Sequence, residues 1–130
     1  MALGFVAATR NARADAITTR AGGSARLAIF SGTRPATGGA ATTELARLTC
    51  NATFAPSASG GVLTLNSITT ANATATGTAS WFRLFQTDGT TIVFDGDVAV
   101  SGGDLNLNTL SIVSGGPVAI SSFVLTESNS

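Results

Sequence analysis

The stretch ASWFRLFQTDGTTIVFD, Ala79 to Asp95, decides the fold. Asp88-Gly89 sits between two runs rich in aromatic and β-branched residues, and an Asp-Gly pair in that setting predicts a tight hairpin. The type I′ turn it favours needs positive φ at both central residues, which Asp and Gly tolerate better than most. Ala79–Thr87 and Thr90–Asp95 are therefore expected to pair antiparallel. Just upstream, Ala73–Gln86 begins with a strict alternation. Ala73, Ala75, Gly77 and Ala79 fall on one face, and Thr74, Thr76, Thr78 and Ser80 on the other. A period of two marks a half-buried strand with small residues inward. At Trp81-Phe82 the phase slips and Phe82 and Leu84 take over; a slip of one residue is how a β-bulge reads in sequence.

Outward from the hairpin the same texture continues. Arg26–Ser31, Glu44–Asn51 and Val62–Ile68 read as strands before it, and Val98–Val100, Leu105–Val113 and Val118–Thr126 after it. Between them lie turn and loop signals: Gly32-Thr33-Arg34-Pro35, the Gly-rich loop from Pro35 to Ala41, Pro56 to Gly61, Gly102-Gly103 and Gly115-Gly116-Pro117. Asp95-Gly96-Asp97 and Gly102-Gly103-Asp104 also read as turns, Asp being a common turn residue. Two later runs change phase as well. Leu105 and Leu107 give way to Leu110 and Ile112, and Val118 and Ile120 to Phe123 and Leu125. About eight short strands with turn signals roughly every 8–12 residues predict an all-β chain: a single β-sandwich or jelly-roll-like domain of antiparallel strands.

The first residues differ. Ala12, Ala16 and Ile17 suit one face of a short helix over Asn11–Ala21, preceded by an extended arm and ended by Gly22-Gly23-Ser24. The division expected is residues 1–23 as N-terminal arm and short helix, and residues 24–130 as the β-sandwich domain. The helix either caps one end of the β-core or belongs to an arm that reaches onto a neighbouring subunit.

A chain of 130 residues suits one modest core. Hydrophobic residues make up 44%, but much of that is Ala, so a monomer has a thin margin and association would widen it. Seven Arg balance seven acids at a formal net charge of zero, with no basic tract to neutralise phosphates; nucleic acid is not an expected partner. Charged residues are 11%, against roughly 25% in ordinary soluble domains, so Thr, Ser, Asn and Gly must supply the polar surface. Neutral hydroxyls and amides cost much less to bury than ions, which suits surfaces that dock. No apolar run approaches the roughly 18 residues that span a bilayer, and the opening lacks the basic start of a secretory signal. No membrane association and no export by that route are expected.

The reactive inventory is short. The chain has no His, Lys or Tyr, so a Ser-His-Asp triad, a His-bearing metal site and Schiff-base chemistry have no residues to build them. Cys50, the one cysteine, reads as a small buried hydrophobe. Asp95, Asp97 and Asp104 cluster in sequence and read as turn residues; the alternatives are a calcium site, without the full ligand ladder of an EF-hand loop, and paired-carboxylate chemistry on a glycosidic bond, which is disfavoured. The Gly-rich stretches have no following Lys, and so form no phosphate loop. Asn51-Ala52-Thr53 and Asn72-Ala73-Thr74 are chance sequon matches. Trp81, with Phe82 and Phe85, reads as core, with a sugar- or base-stacking platform as the alternative. No catalytic residue, metal ligand or cofactor is assigned. The candidate subunit-contact residues are Phe5, Arg10, Arg13, Arg20 and Trp81.

Three segments carry a resemblance: LAIFSGTRPATGGAATTELARLTCNATF (Leu27–Phe54), GTASWFRLFQTDGT (Gly77–Thr90) and SGGDLNLNTLSIVSGGPVAISSFVLT (Ser101–Thr126). With RNARADAIT (Arg10–Thr18) before them, they resemble small structural proteins of tailed-phage and prophage morphogenesis modules, of the head-decoration or cement type. The resemblance implies a β-sandwich or jelly-roll subunit, often trimeric, made in the host cytoplasm and bound on the virion to the major capsid protein or other virion subunits. It carries over no contact residue. The alternative expectation is a receptor- or glycan-binding β-module of a tail, neck or fibre.

Overall fold

In the computed structural model, which describes residues 4–102 and 105–126, the Ala79–Asp95 hairpin forms, but with a wider turn than the sequence suggests. The elements in chain order are α1 (Ala7–Ala21), β1 (Arg26–Ser31), β2 (Thr43–Thr49), β3 (Val62–Thr64), β4 (Ala71–Asn72), β5 (Gly77–Thr78), β6 (Trp81–Phe85), β7 (Ile92–Ala99), β8 (Leu105–Leu107), β9 (Ser111–Ile112), β10 (Pro117–Val118) and β11 (Ile120–Thr126). The β6–β7 hairpin closes at Gln86, whose N–H donates to Thr91 O at 2.9 Å. Gly89 has φ 75°, whereas Ser24 is the non-glycine with positive φ among the described residues; Asp88 is not, so the turn is not type I′. Asp88 instead caps its own loop, its carboxylate accepting the N–H groups of Thr90 and Thr91, each at 2.9 Å. A side chain that satisfies two loop amides supports a longer turn than the Asp-Gly pair alone predicts.

Near the tip the register is the one a turn centred on Asp88-Gly89 gives, with Phe85 opposite Ile92. A bulge between Leu84 and Phe85 then shifts it, so that Leu84 faces Phe94, Arg83 faces Asp95 and Trp81 faces Asp97. The expected bulge at Trp81-Phe82 is thus misplaced: β6 is regular there. Its run of apolar residues arises because both faces are covered, all five side chains being buried.

The main sheet has seven strands in the order β2-β1-β6-β7-β8-β11-β3, and two ribbons, β10-β4 and β5-β9, accompany it. Among the described residues the fold is all-β apart from α1. Several boundaries correct the expectations. Asp95-Gly96-Asp97 is no turn but the middle of β7, which joins the expected Thr90–Asp95 and Val98–Val100 into one strand. The pairing is not wholly antiparallel, since β7 and β8 run parallel, Val98 opposite Leu105. Ala73–Gln86 is not one strand; it holds the separate strands β5 and β6. Its alternation still holds in burial, with Ala73 and Ala79 buried and Thr74, Thr76 and Thr78 exposed. Leu105–Val113 breaks into β8 and β9, and Val118–Thr126 into β10 and β11, members of different sheets. The phase change after Leu107 marks a change of sheet, whereas the one between Ile120 and Phe123 falls at a register shift within β11. Gly103 and Asp104 lie outside the described residues.

The main core lies on one face of the large sheet. Leu27 and Ile29 of β1, Leu45 and Leu48 of β2, Phe82 and Leu84 of β6, Leu105 and Leu107 of β8 and Phe123 of β11 gather there with Phe54, Ile112 and Val118. Phe82 packs edge-on against Phe123 and Phe94, at centroid distances of 5.1 and 5.7 Å. Cys50 is buried in the same cluster, and burial pushes its thiol up to about 12.

The helix begins at Ala7, earlier than Asn11, which leaves residues 4–6 of the described chain as the extended lead-in. Val6 offers no side-chain cap and the first turn holds no acid, so little at its start favours the helix intrinsically. Tertiary bonds hold it. Asn11 Oδ1 accepts Gly61 N–H and Asp15 Oδ1 accepts Ala58 N–H, both at 2.7 Å, while Ala14 and Ala21 enter the main core. No helix among the described residues is long and apolar enough to cross a membrane.

Candidate interaction surfaces

The second face of the large sheet carries alternating residues of the central strands, because successive side chains point to opposite sides. Ala28 and Phe30 of β1 and Trp81 and Phe85 of β6 form a small cluster separate from the main core, with Ile92 against it. Phe30 and Trp81 stack at 4.3 Å between centroids and 14° between planes. Arg83 lies between Trp81 and Phe85 on that side, with its guanidinium 5.1 Å from the Trp81 ring; Arg47 of β2 is 4.6 Å from that of Phe85.

Arg83 is the buried charge of the molecule's second face. Its side chain is 4% exposed and that of Asp95, opposite it on β7, 0%. The contact is bidentate: Nε donates to Asp95 Oδ1 at 2.6 Å and Nη2 to Oδ2 at 3.0 Å. Two planar groups matched in this way bind more strongly than a point charge on a carboxylate. Burial pushes the Asp95 carboxyl up, but the hydrogen bonds from Arg83 and Gly38 N–H and the Arg83 and Arg34 charges outweigh it, holding the group below the usual carboxylate range.

Over this face runs the segment 32–42, which joins β1 to β2 although Ser31 and Thr43 are themselves paired. Hairpin loops commonly have about 2–5 residues, so this is an Ω-like excursion with its ends close together. Gly38 N–H donates to Asp95 Oδ2 at 2.9 Å, and Gly39 O accepts Arg83 Nη2 at 2.8 Å. Arg34 bridges to Asp97 at 3.2 Å, and Thr42 Oγ1 accepts the Trp81 indole N–H at 2.9 Å. The turn is tight: Gly38 has φ 78°, and a Cβ on Gly39 would stand 2.9 Å from Ala36 O. Glycines there are a condition of the path.

The five candidate contact residues do not form one surface. Phe5, Arg10 and Arg13 meet at the start of α1: Arg10 Nε donates to Phe5 O at 3.2 Å, and the Arg13 guanidinium sits 4.9 Å from the Phe5 ring. Arg10 also reaches Gly60 O at 3.4 Å, so it ties the helix to its own domain. Arg20 is exposed at the far end of the helix, where its carbonyl accepts the Gln86 amide at 2.7 Å. Trp81 belongs to the other side of the sheet, is 0% exposed, and has its one polar atom bonded. As a contact residue or stacking platform it is corrected: β6 is covered on both faces, so the indole presents no surface.

The acids serve the scaffold. Asp95 holds Arg83, Asp97 holds Arg34, and Glu44 grips Arg47 through two bonds of 2.8 and 3.2 Å. Asp88 closes its hairpin, and its three bonds to Thr91 and Thr90 lower its carboxyl from 3.8 to about 2. Asp15 clamps Ala58. The Asn51 side chain accepts the Thr53 N–H at 3.0 Å, an Asx turn within the first sequon.

Both rims of the large sheet are managed. The outer side of β2 is occupied by the segment before β5, where Thr69 N–H donates to Thr49 O, and Thr74 and Ala75 N–H to Leu45 O, at 2.8–3.3 Å. The opposite rim, β3, is three residues long. Covering an edge or keeping it short is how sheets avoid adding strands. Comparison with protein-family models, curated proteins and solved structures gave no match for this chain.

Proposed function

We propose that the chain is a virion structural protein that acts by docking, most specifically a decoration or cement subunit that reinforces a phage head through repeated protein–protein contacts. The observation that carries the reading is the use of its ionisable groups. In a chain without His, Lys or Tyr, each acid among the described residues is committed to a loop, a hairpin or an arginine. Much of what remains outward is uncharged, including Thr74, Thr76 and Thr78 and the exposed Val6, Val100, Val113 and Val124, alongside the exposed Arg13 and Arg20 of the helix. Such surface loses little when water is removed from it. The resemblance of Leu27–Phe54, Gly77–Thr90 and Ser101–Thr126 supports the same reading.

The finer architecture we propose is a sandwich of jelly-roll type, with the large sheet as one layer and the β10-β4 and β5-β9 ribbons as the other across the main core. Subunits would associate with themselves, as trimers, and with the major capsid protein. Contacts of about 800 Å² per partner are ordinary, and repetition over a shell multiplies their effect. A tail or fibre module that grips glycans draws less support, because Trp81 was its aromatic platform.

The test is to purify particles from a host carrying this coding sequence, quantify the chain by mass spectrometry, and delete it. The reading expects a copy number on the scale of the capsid lattice and particles that burst at lower temperature or milder osmotic shock. Absence from the particle, or unaltered tolerance after deletion, refutes it. A copy number matching one ring of subunits favours the tail or neck reading.

A further inference from the structure

We propose that segment 32–42 is a strap with two states: closed over the Phe30–Trp81 face while Asp95 is charged, and released, with the main core intact, when that charge is lost. The argument is independent of the virion reading and rests on how the molecule divides. Trp81, Phe30, Ala28 and Phe85 form a cluster separate from the main core, on the opposite face of the sheet. The strap joins that face through Gly38 N–H on Asp95, Gly39 O on Arg83, Arg34 on Asp97 and Thr42 on the Trp81 indole. Three of these four fastenings end on the Arg83–Asp95–Asp97 row of β6 and β7. No residue of 32–42 is buried, and segments with few buried apolar contacts open locally before a fold opens globally.

Charge decides which state holds. The charged groups facing Asp95 are Arg83 from β6 and Arg34 from the strap, with Asp97 beside it on β7; β1 brings the uncharged Ala28 and Phe30 to that side. A proton on Asp95 leaves the Arg83 guanidinium buried without its counter-charge, a costly arrangement that admitting water relieves. Water reaches it by lifting the strap. For the sign: a carboxyl held low in the folded state contributes stability above the ordinary carboxylate range, and loses it as pH falls through the lowered value. Release therefore occurs on acidification.

Trp81 is the one tryptophan, so its fluorescence reports the strap directly. Asp95→Asn is expected to red-shift its emission at neutral pH and raise acrylamide quenching and hydrogen exchange at Gly38. Far-UV dichroism and the exchange protection of Leu27 and Leu84 should be retained. In the unmodified protein, acid is expected to produce the same emission change before the dichroism falls. Should Asp95→Asn not fold, that acid titration decides alone. Emission and dichroism changing together in acid, or a folded Asp95→Asn protein with native emission and protection at Gly38, would overturn the proposal.

Discussion

Replacing Phe82 by Ala tests which face of β6 holds the fold together. Phe82 is 0% exposed and is the ring about which Phe94 and Phe123 pack edge-on. Deleting a fully buried Phe side chain removes its transfer free energy and leaves a cavity, together about 3–5 kcal/mol. With an unfolding entropy of about 2.1 cal/mol/K per residue, 130 residues give about 0.27 kcal/mol/K, so Tm should fall by roughly 11–18 °C. Phe82→Leu keeps most of the volume but loses both ring contacts, and should cost about 1–1.5 kcal/mol. Urea denaturation followed by far-UV dichroism measures both, and the slope m should not change, since the same surface is exposed on unfolding. A Phe82→Ala loss below about 1 kcal/mol at unchanged m would refute the placement of the main core on that face.

Three further outcomes follow from named contacts. Asn11→Ala or Asp15→Ala strands a loop N–H, and should cost about 1 kcal/mol each and speed hydrogen exchange at Gly61 or Ala58, respectively. The Asp88 carboxyl, lowered from 3.8 to about 2, supports the hairpin loop above pH 4 and loses that support as pH falls through about 2. Shifts of the Thr90 and Thr91 amides followed by NMR should titrate with it, and in Asp88→Asn that titration should vanish. Cys50, buried with its thiol pushed up to about 12, should resist iodoacetamide at pH 8 in the native state and react promptly in denaturant; fast native labelling would contradict its burial.

Much of the fold was legible because the period-two signal is local. Arg26–Ser31 emerges with its expected bounds, and the Ala-Thr alternation of 73–79 survives in burial though not in regular pairing. What sequence reading lost were features set by long-range geometry. The two covered faces of β6 make Trp81-Phe82-Arg83-Leu84-Phe85 look like a slipped phase, when it is a straight strand buried on both sides. The Arg83–Asp95 pair was invisible for a related reason: a two-residue turn puts Arg83 opposite Phe94, and only the bulge at Leu84/Phe85 brings Asp95 there. An arginine inside WFRLF was the available sign, since a charge in such a run needs a partner. Asp95-Gly96-Asp97 was misread because turn chemistry and a strand that carries a buried acid use the same letters.

The sealed rims of the large sheet also govern how the protein behaves when crowded. With Leu45 and Thr49 carbonyls already engaged on one side and three residues on the other, there is little backbone left to template a further chain. Strand addition to this sheet is disfavoured at both rims. Any contact between copies of this sheet would then have to be made through side chains, whose fit can be specific where main-chain ladders are indiscriminate.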